Sequence, residues 1–324
     1  MSASQRVPTS AAGGARQASG AVERVRAVLD GLPPDARKIA KGALRLALYQ
    51  QEPEAWARLA LGLKLDPWQR KLVETPRRKR AIALVHRQAG KTTAAAIATA
   101  HHLKFGPAGS TSLVLAPTQR QSGEAIRRIR GFLLHAGAKL AIDNAFSLQL
   151  ENGSRVLGLP GQDDAAIRGL TVDGVMVVDE AARVSDALFQ AAMPMVLRHA
   201  RTARVMLLST AWAKEGFFYR LWSDGDQRDW LKIEARIDEC THLTPADVER
   251  ERRAMPATVF AREYLNIFDS LESRFFAPDA IAAAFGDVQG PMPEAVTFEG
   301  NEADPILART SAFARNPFAT GVRF

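Results

Sequence analysis

A single cysteine, Cys240, in 324 residues excludes an internal disulfide framework and any metal site built on cysteine, and it fits a reducing cytoplasm. Long apolar runs are missing as well. No stretch approaches the roughly 18 consecutive apolar residues that a membrane-spanning helix requires, so a soluble chain with no membrane partner is expected. The histidines form no cluster with metal-ligand spacing, and there is neither an internal repeat nor a heptad run. The opening stretch MSASQRVPTSAAGGARQASG lacks the apolar segment of a secretory signal, and residues 1–21 are expected to be a disordered arm.

What is present is enough for a packed interior: 47% of the residues are hydrophobic, in a length that suits one large domain or two ordinary ones. The formal charge is +8, with basic runs at Arg77-Arg78-Lys79-Arg80 and at Arg120, Arg127, Arg128 and Arg130. Such a surface favours a polyanion through counterion release, although basic runs are often only solvated faces.

Residues 22–64 carry a helical pattern broken at Gly31, at Pro33-Pro34 and near Pro53, which predicts short lead-in helices packed on a larger body. After Arg80, apolar strand candidates at 81–86, 112–116, 146–150, 154–159, 174–178, 204–209 and 231–236 alternate with helical segments. SLVLA, GVMVV and RVMLL lack polar alternation, as strands buried on both faces do. The fold class is therefore α/β, doubly wound around a mainly parallel sheet. Residues 146–160 differ: two alternating strands flank Asn152-Gly153, whose residue types supply the two positive φ angles of a tight turn, so a hairpin at a sheet edge is expected.

Chemistry concentrates in two places. VHRQAGKTT, residues 85–93, follows the first strand and precedes an alanine-rich helix. The phosphate-binding loop pattern G-x-x-x-x-G-K-[ST] is present from Gly90 onward, with Val85 in the place of its first glycine. At a helix N-terminus, free N–H groups and the helix dipole hold phosphate oxygens. Lys91 would reach the β- and γ-phosphates, and Thr92 would bind Mg²⁺. The candidate ATP-binding set is His86, Arg87, Gln88, Ala89, Gly90, Lys91, Thr92 and Thr93. Further on, GVMVVDEA ends an apolar strand in two acids. Asp179 is suited to hold Mg²⁺ and Glu180 to polarise an attacking water, unless the pair is merely a solvated strand end. Two supporting elements stand beside these. DPWQ puts Gln69 before the loop, where its amide can match both edges of adenine, or simply start a helix. LLSTAW ends a third apolar strand in Ser209 and Thr210, hydroxyls able to sense a γ-phosphate or to cap the strand.

Taken together, DPWQ, HRQAGKTT, LVLAPTQRQS, LENGSRVLGLP, IRGLTVDGVMVVDEAARV, LLSTAW and REYLNIF resemble the ATPase domain of the large terminase subunit of tailed phages and prophages, over roughly residues 60–276. The resemblance implies a RecA-like P-loop NTPase of the class with an additional catalytic glutamate. In this family the first loop glycine is frequently replaced, and a loop arginine, here Arg87, is taken to contact the γ-phosphate or to couple its state to DNA movement. Carried over, Lys91, Arg87 and Glu180 are catalytic, Thr92 and Asp179 bind Mg²⁺, Gln69 contacts adenine, and Ser209 and Thr210 couple hydrolysis to motion. Arg168 is a candidate contact to DNA or to a neighbouring subunit. The implied function is hydrolysis of ATP to move duplex viral DNA into a procapsid, with a small terminase subunit, the portal and a homo-oligomeric ring as partners, in the cytoplasm of a bacterial host.

The expected organisation is a disordered arm (1–21), N-terminal helices (22–64), the ATPase domain (65–276) and a tail or truncated start of a nuclease domain (277–324). In that last part Asp304 follows a polar stretch where the family's nuclease would place an apolar strand, so endonuclease activity is not expected. Two alternatives are a DEAD-box-like helicase, which needs a second RecA-like domain, and a degenerate remnant that binds DNA or nucleotide without turnover.

Overall fold

The computed structural model describes residues 26–76, 79–160, 169–226, 229–237 and 243–269, all within the first of the two compact units into which the chain divides, Met1–Phe275 and Phe276–Phe324. The arm, Arg77, Arg78, Arg168, Cys240 and the tail expected at 277–324 lie outside the described residues.

After a helical turn at residues 26–30, the chain forms α1 (Pro34–Gln51), α2 (Pro53–Ala60) and α3 (Pro67–Val73). Each has a proline in its first turn, where the missing N–H costs nothing. Of the helices within 22–64, α2 buries Ala55, Trp56 and Ala57, whereas α1 buries no residue; α3, beyond that stretch, buries Trp68, Leu72 and Val73.

The body is a sheet of eight strands: β1 (Arg80–Val85), β2 (Thr111–Ala116), β3 (Leu140–Asp143), β4 (Ser147–Leu150), β5 (Arg155–Pro160), β6 (Val175–Asp179), β7 (Arg204–Ser209) and β8 (Trp230–Ala235). Their order is β3-β4-β5-β2-β6-β7-β1-β8, and from β5 to β8 every neighbouring pair is parallel. Successive residues of the central strands face opposite sides of a sheet, and both sides are filled. Ala81, Ala83, Val85, Val177 and Met206 pack with α4 (Lys91–Phe105), α5 (Gln119–His135) and the lead-in helices. Ile82, Leu84, Leu113, Val178 and Leu207 pack with α6 (Asp186–Leu197) and α7 (Gly216–Ser223). This two-sided burial is why those strands read as unbroken apolar runs. Two further helices, α8 (Pro245–Arg253) and α9 (Ala257–Tyr264), complete the described chain.

Helix α4 buries residues on all its faces, including every alanine from Ala94 to Ala100. Such a helix belongs inside the protein, and its small side chains let it lie close to the sheet. That fixes its N-terminus, Lys91, against the end of β1.

The edge differs from the expectation in two respects. A short strand, β3, lies outside the predicted hairpin and forms the true edge. Its Leu140-Ala141-Ile142 run is too short to mark a strand, and three of its four residues are exposed, Ile142 among them. The turn between β4 and β5 is also not the two-residue form: among Asn152 and Gly153 only Gly153 has a positive φ, +82°. The N–H of Gly153 donates to Leu150, and Leu150 in turn donates to the carbonyl of Ser154, giving a three-residue loop with its glycine left-handed. Asn152 instead uses its side chain, accepting from Ser154 N at 2.9 Å and donating to Leu103 O at 3.3 Å, which ties the hairpin to α4.

Candidate active site

Strand β7 lies between β1 and β6, so the loop after β1 and the acids after β6 face each other across the width of one strand. Val85 closes β1 in register with Ala235 of β8 and is buried. Its backbone is that of a strand residue, so the place of the first loop glycine needs no left-handed conformation here. The left-handed positions are Gln88, at φ 62°, and Gly90, at φ 85°. The positive φ is what favours glycine at the latter; a Cβ there would also lie 2.7 Å from Nε2 of Gln69 and displace that amide.

The loop is tied at several points. His86 N donates to Ala235 O at 3.0 Å, and Arg87 N to Glu263 O at 2.7 Å. His86 Nδ1 lies 2.7 Å from the carbonyl of Arg87, which can only accept, so Nδ1 is the donor. The side chains of Arg87 and Gln88 are exposed, while Ala89 is buried. Thr93 accepts a hydrogen bond from Arg128 at 3.1 Å.

Across the gap, Thr92 Oγ1 donates to Asp179 Oδ2 at 2.6 Å, and Lys91 Nζ lies 3.6 Å from Glu180 Oε1. Lys91 and Asp179 are 7% and 5% exposed, so both charges are nearly removed from water. Burial pushes the Asp179 carboxyl above the usual carboxylate range, and the adjacent Glu180 adds to this. The Thr92 hydroxyl and Lys91 oppose the rise. Glu180 sits at φ 50°, a conformation that costs a non-glycine residue free energy and is concentrated at functional sites. Its N–H donates to Asp179 Oδ1 at 3.0 Å. Ser209 Oγ, at the end of β7, accepts from Ala182 N at 3.2 Å and so joins the third strand end to the turn after Glu180. Thr210 beside it is buried.

A threonine hydroxyl and a buried carboxylate in contact are hard oxygen donors. They suit Mg²⁺, which takes one or two protein oxygens and completes its shell with phosphate and water. Among the described residues no group of three or more His, Cys, Asp or Glu is disposed to hold a metal on protein ligands alone.

Three concavities among the described residues border the loop, one of them on its His86-Arg87-Gln88 side against Asp247, Arg250 and Tyr264; the other two flank Gly90 and Thr92. Of these two, the first is lined by Thr92, Thr118, Arg120, Glu124, Asp179, Glu180 and Arg183, and the second by Leu63, Leu65, Gln69, Gln88, Ala89, Gly90 and Thr93. Gln69 stands in the second with part of its amide already engaged: Oε1 accepts from Asp66 N and Nε2 donates to Ala89 O, both at 3.0 Å. One lone pair and one N–H remain, so its room for adenine is half what the sequence suggested.

Arg183 and Arg120 at the cleft were not singled out as site residues. Nothing local marks Arg183, which stands in a basic chain among many arginines. The second basic run is largely compensated: Arg127 and Arg128 pair with Glu124 at 2.6 and 3.1 Å, and Arg130 with Asp143 at 2.6 Å.

Comparison with known proteins bears on this arrangement. The DEAD/DEAH box helicase family matches residues 66–216. No curated protein sequence matches the chain. Among solved structures, the large terminase ATPase domain of Thermus phage P74-26 is similar with a TM-score of 0.58 and 19% identity, covering 67% of this chain and 99% of that one. The large terminase of bacteriophage HK97 is similar with a TM-score of 0.56 and 16% identity, covering 68% of this chain and 55% of that one, so the chain spans about half its length. The fold is thus the RecA-like P-loop NTPase fold of phage large terminase ATPase domains, as the sequence motifs implied.

Proposed function

We propose that the chain is a Mg²⁺-dependent ATPase of the large terminase kind, a motor that moves duplex viral DNA. The observation that carries this reading is the pairing of Thr92 with Asp179 at 2.6 Å and of Lys91 with Glu180 at 3.6 Å, at adjoining strand ends of a RecA-like sheet. In the proposed complex the phosphates lie on the N-terminus of α4, where Lys91 transfers from Glu180 to the β- and γ-phosphate oxygens. Thr92 and Asp179 hold Mg²⁺, which when bound neutralises charge on the phosphates. Glu180, released from Lys91, accepts a proton from the attacking water. Arg87, exposed on the loop, reaches the γ-phosphate. Gln69 meets the base, and Ser209 and Thr210 carry the change at the phosphates to the turn after Glu180. The DNA, the small subunit, the portal of a procapsid, a ring of copies and a bacterial cytoplasm belong to the same proposal.

ATP hydrolysis by the purified chain, with and without duplex DNA, tests it. Turnover lost in both Lys91→Ala and Glu180→Gln, with nucleotide binding kept in the second, supports the reading. Turnover no higher than that of Lys91→Ala under every condition sinks it in favour of a binding module. The DEAD/DEAH match over residues 66–216 favours a second reading as a helicase-like ATPase. ATP-driven separation of a short duplex by this chain would select that one.

A further inference from the structure

Arg183 belongs to two environments. It lines the same cleft as Thr92, Asp179 and Glu180. Its guanidinium also lies 4.2 Å from the ring centre of Trp212 and 3.7 Å from Oε1 of Glu263, and the side chain is 42% exposed. Glu263 is 6% exposed, and a carboxylate so buried must keep a cation. It has a second one. Arg262 lies 3.3 Å from the same Oε1, is anchored by Asp269 at 3.0 Å, and stands 4.7 Å from the Trp212 ring. Departure of Arg183 would leave neither the carboxylate nor the indole without its cation. The Arg183–Glu263 contact is long and half-exposed, a geometry in which ion pairs are weak. Guanidinium–phosphate pairs are short and bidentate.

We infer that Arg183 is a phosphate-binding residue of this cleft, held in reserve by Glu263 and Trp212 and handed to a terminal or released phosphate when the cleft fills. The inference rests on the ATPase reading. Glu263 and Trp212 are positioning residues in it, and because Glu263 O also accepts from Arg87 N at 2.7 Å, the reserve position is joined to the phosphate loop.

Calorimetric titration of the full chain with MgADP, with a non-hydrolysable Mg-ATP analogue, and with orthophosphate added to the ADP complex separates the outcomes. Arg183→Ala is expected to leave ADP affinity within about twofold and to weaken the analogue, orthophosphate or both by about tenfold, the loss of one charge-assisted hydrogen bond. An effect on the analogue alone assigns Arg183 to the bound triphosphate, and one on orthophosphate alone to the product. Glu263→Gln removes the competitor and is expected to move the analogue-to-ADP ratio the opposite way. Trp212→Phe, which keeps a ring but a weaker hold on a cation, moves it in the same direction as Glu263→Gln and serves if that variant does not fold. Unchanged phosphate affinities in Arg183→Ala overturn the inference, as does a shift in the same direction by Arg183→Ala and the positioning variants. A folded wild-type chain that binds neither nucleotide overturns the ATPase reading first and this inference with it.

Discussion

The two ends of the parallel strands treat buried charge in opposite ways. At the carboxyl ends, buried Lys91 and Asp179 pair with Glu180 and Thr92, side chains that line an open cleft where a ligand can take over the contacts. At the amino ends, Arg204 is equally buried, yet its guanidinium donates to the main-chain carbonyls of Val73 and Thr75 at 3.3 and 3.1 Å. Main-chain oxygens in packed segments cannot be displaced without unfolding. A buried charge held by exchangeable partners beside a cleft is built for a ligand, and one spent on carbonyls is built for the fold.

Substitutions at the two ends should therefore separate turnover from stability. Glu180→Gln is expected to lower the rate of ATP hydrolysis by about 10²–10⁴, the usual worth of a positioned base, with nucleotide affinity retained in a binding assay. Arg204→Leu is expected to do the reverse: about 2–4 kcal/mol of stability is lost in a urea melt as two buried carbonyls go unpaired, while the folded fraction turns over ATP normally. Equal loss of turnover in Arg204→Leu would erase the contrast.

Asp179→Asn sharpens the comparison from the other side. The folded chain raises this carboxyl, so it binds a proton more readily than the unfolded chain does, and stability falls as pH rises from the unfolded to the folded range. Removing the charge should then abolish turnover yet raise Tm at neutral pH by roughly 2–4 °C, the shift that about 1 kcal/mol produces in a domain of this size. The gain should disappear at low pH. The smallest effect belongs to Asp186, away from the phosphate loop. Its carboxyl is held below the usual range first by the hydrogen bond from Arg220, with Phe217 N also donating at 2.7 Å. Its contribution is present above the unfolded carboxylate range and lost as pH falls through the folded one. Asp186→Ala should cost about 0.5–1 kcal/mol at neutral pH in a thermal melt, and nothing in strong acid.

Much of this was legible in the chain itself. The central strands announced themselves because both of their faces are buried, and the glycine-lysine-threonine step marked a helix start because a left-handed residue, here Gly90 at φ 85°, precedes Lys91. Strand β3 was not legible, since Leu140-Ala141-Ile142 is too short an apolar run, without polar alternation, to tell a strand from a loop. Asn152-Gly153 marks a turn in the sequence but not its three-residue form, because Asn152 spends its side chain on Leu103, a contact 49 residues away that no local pattern encodes.

By itself the sequence determined which residue types stand at each strand end, for these follow from local order: apolar run, then Gly-Lys-Thr or Asp-Glu or Ser-Thr. Tertiary structure alone decided that β7 lies between β1 and β6, which brings Thr92 to Asp179 across 87 residues of chain. It also decided that Glu263 and Trp212 hold Arg183 at the rim of the same cleft. Strand order is a property of how helices cover a sheet and close its loops, and no single segment contains that information.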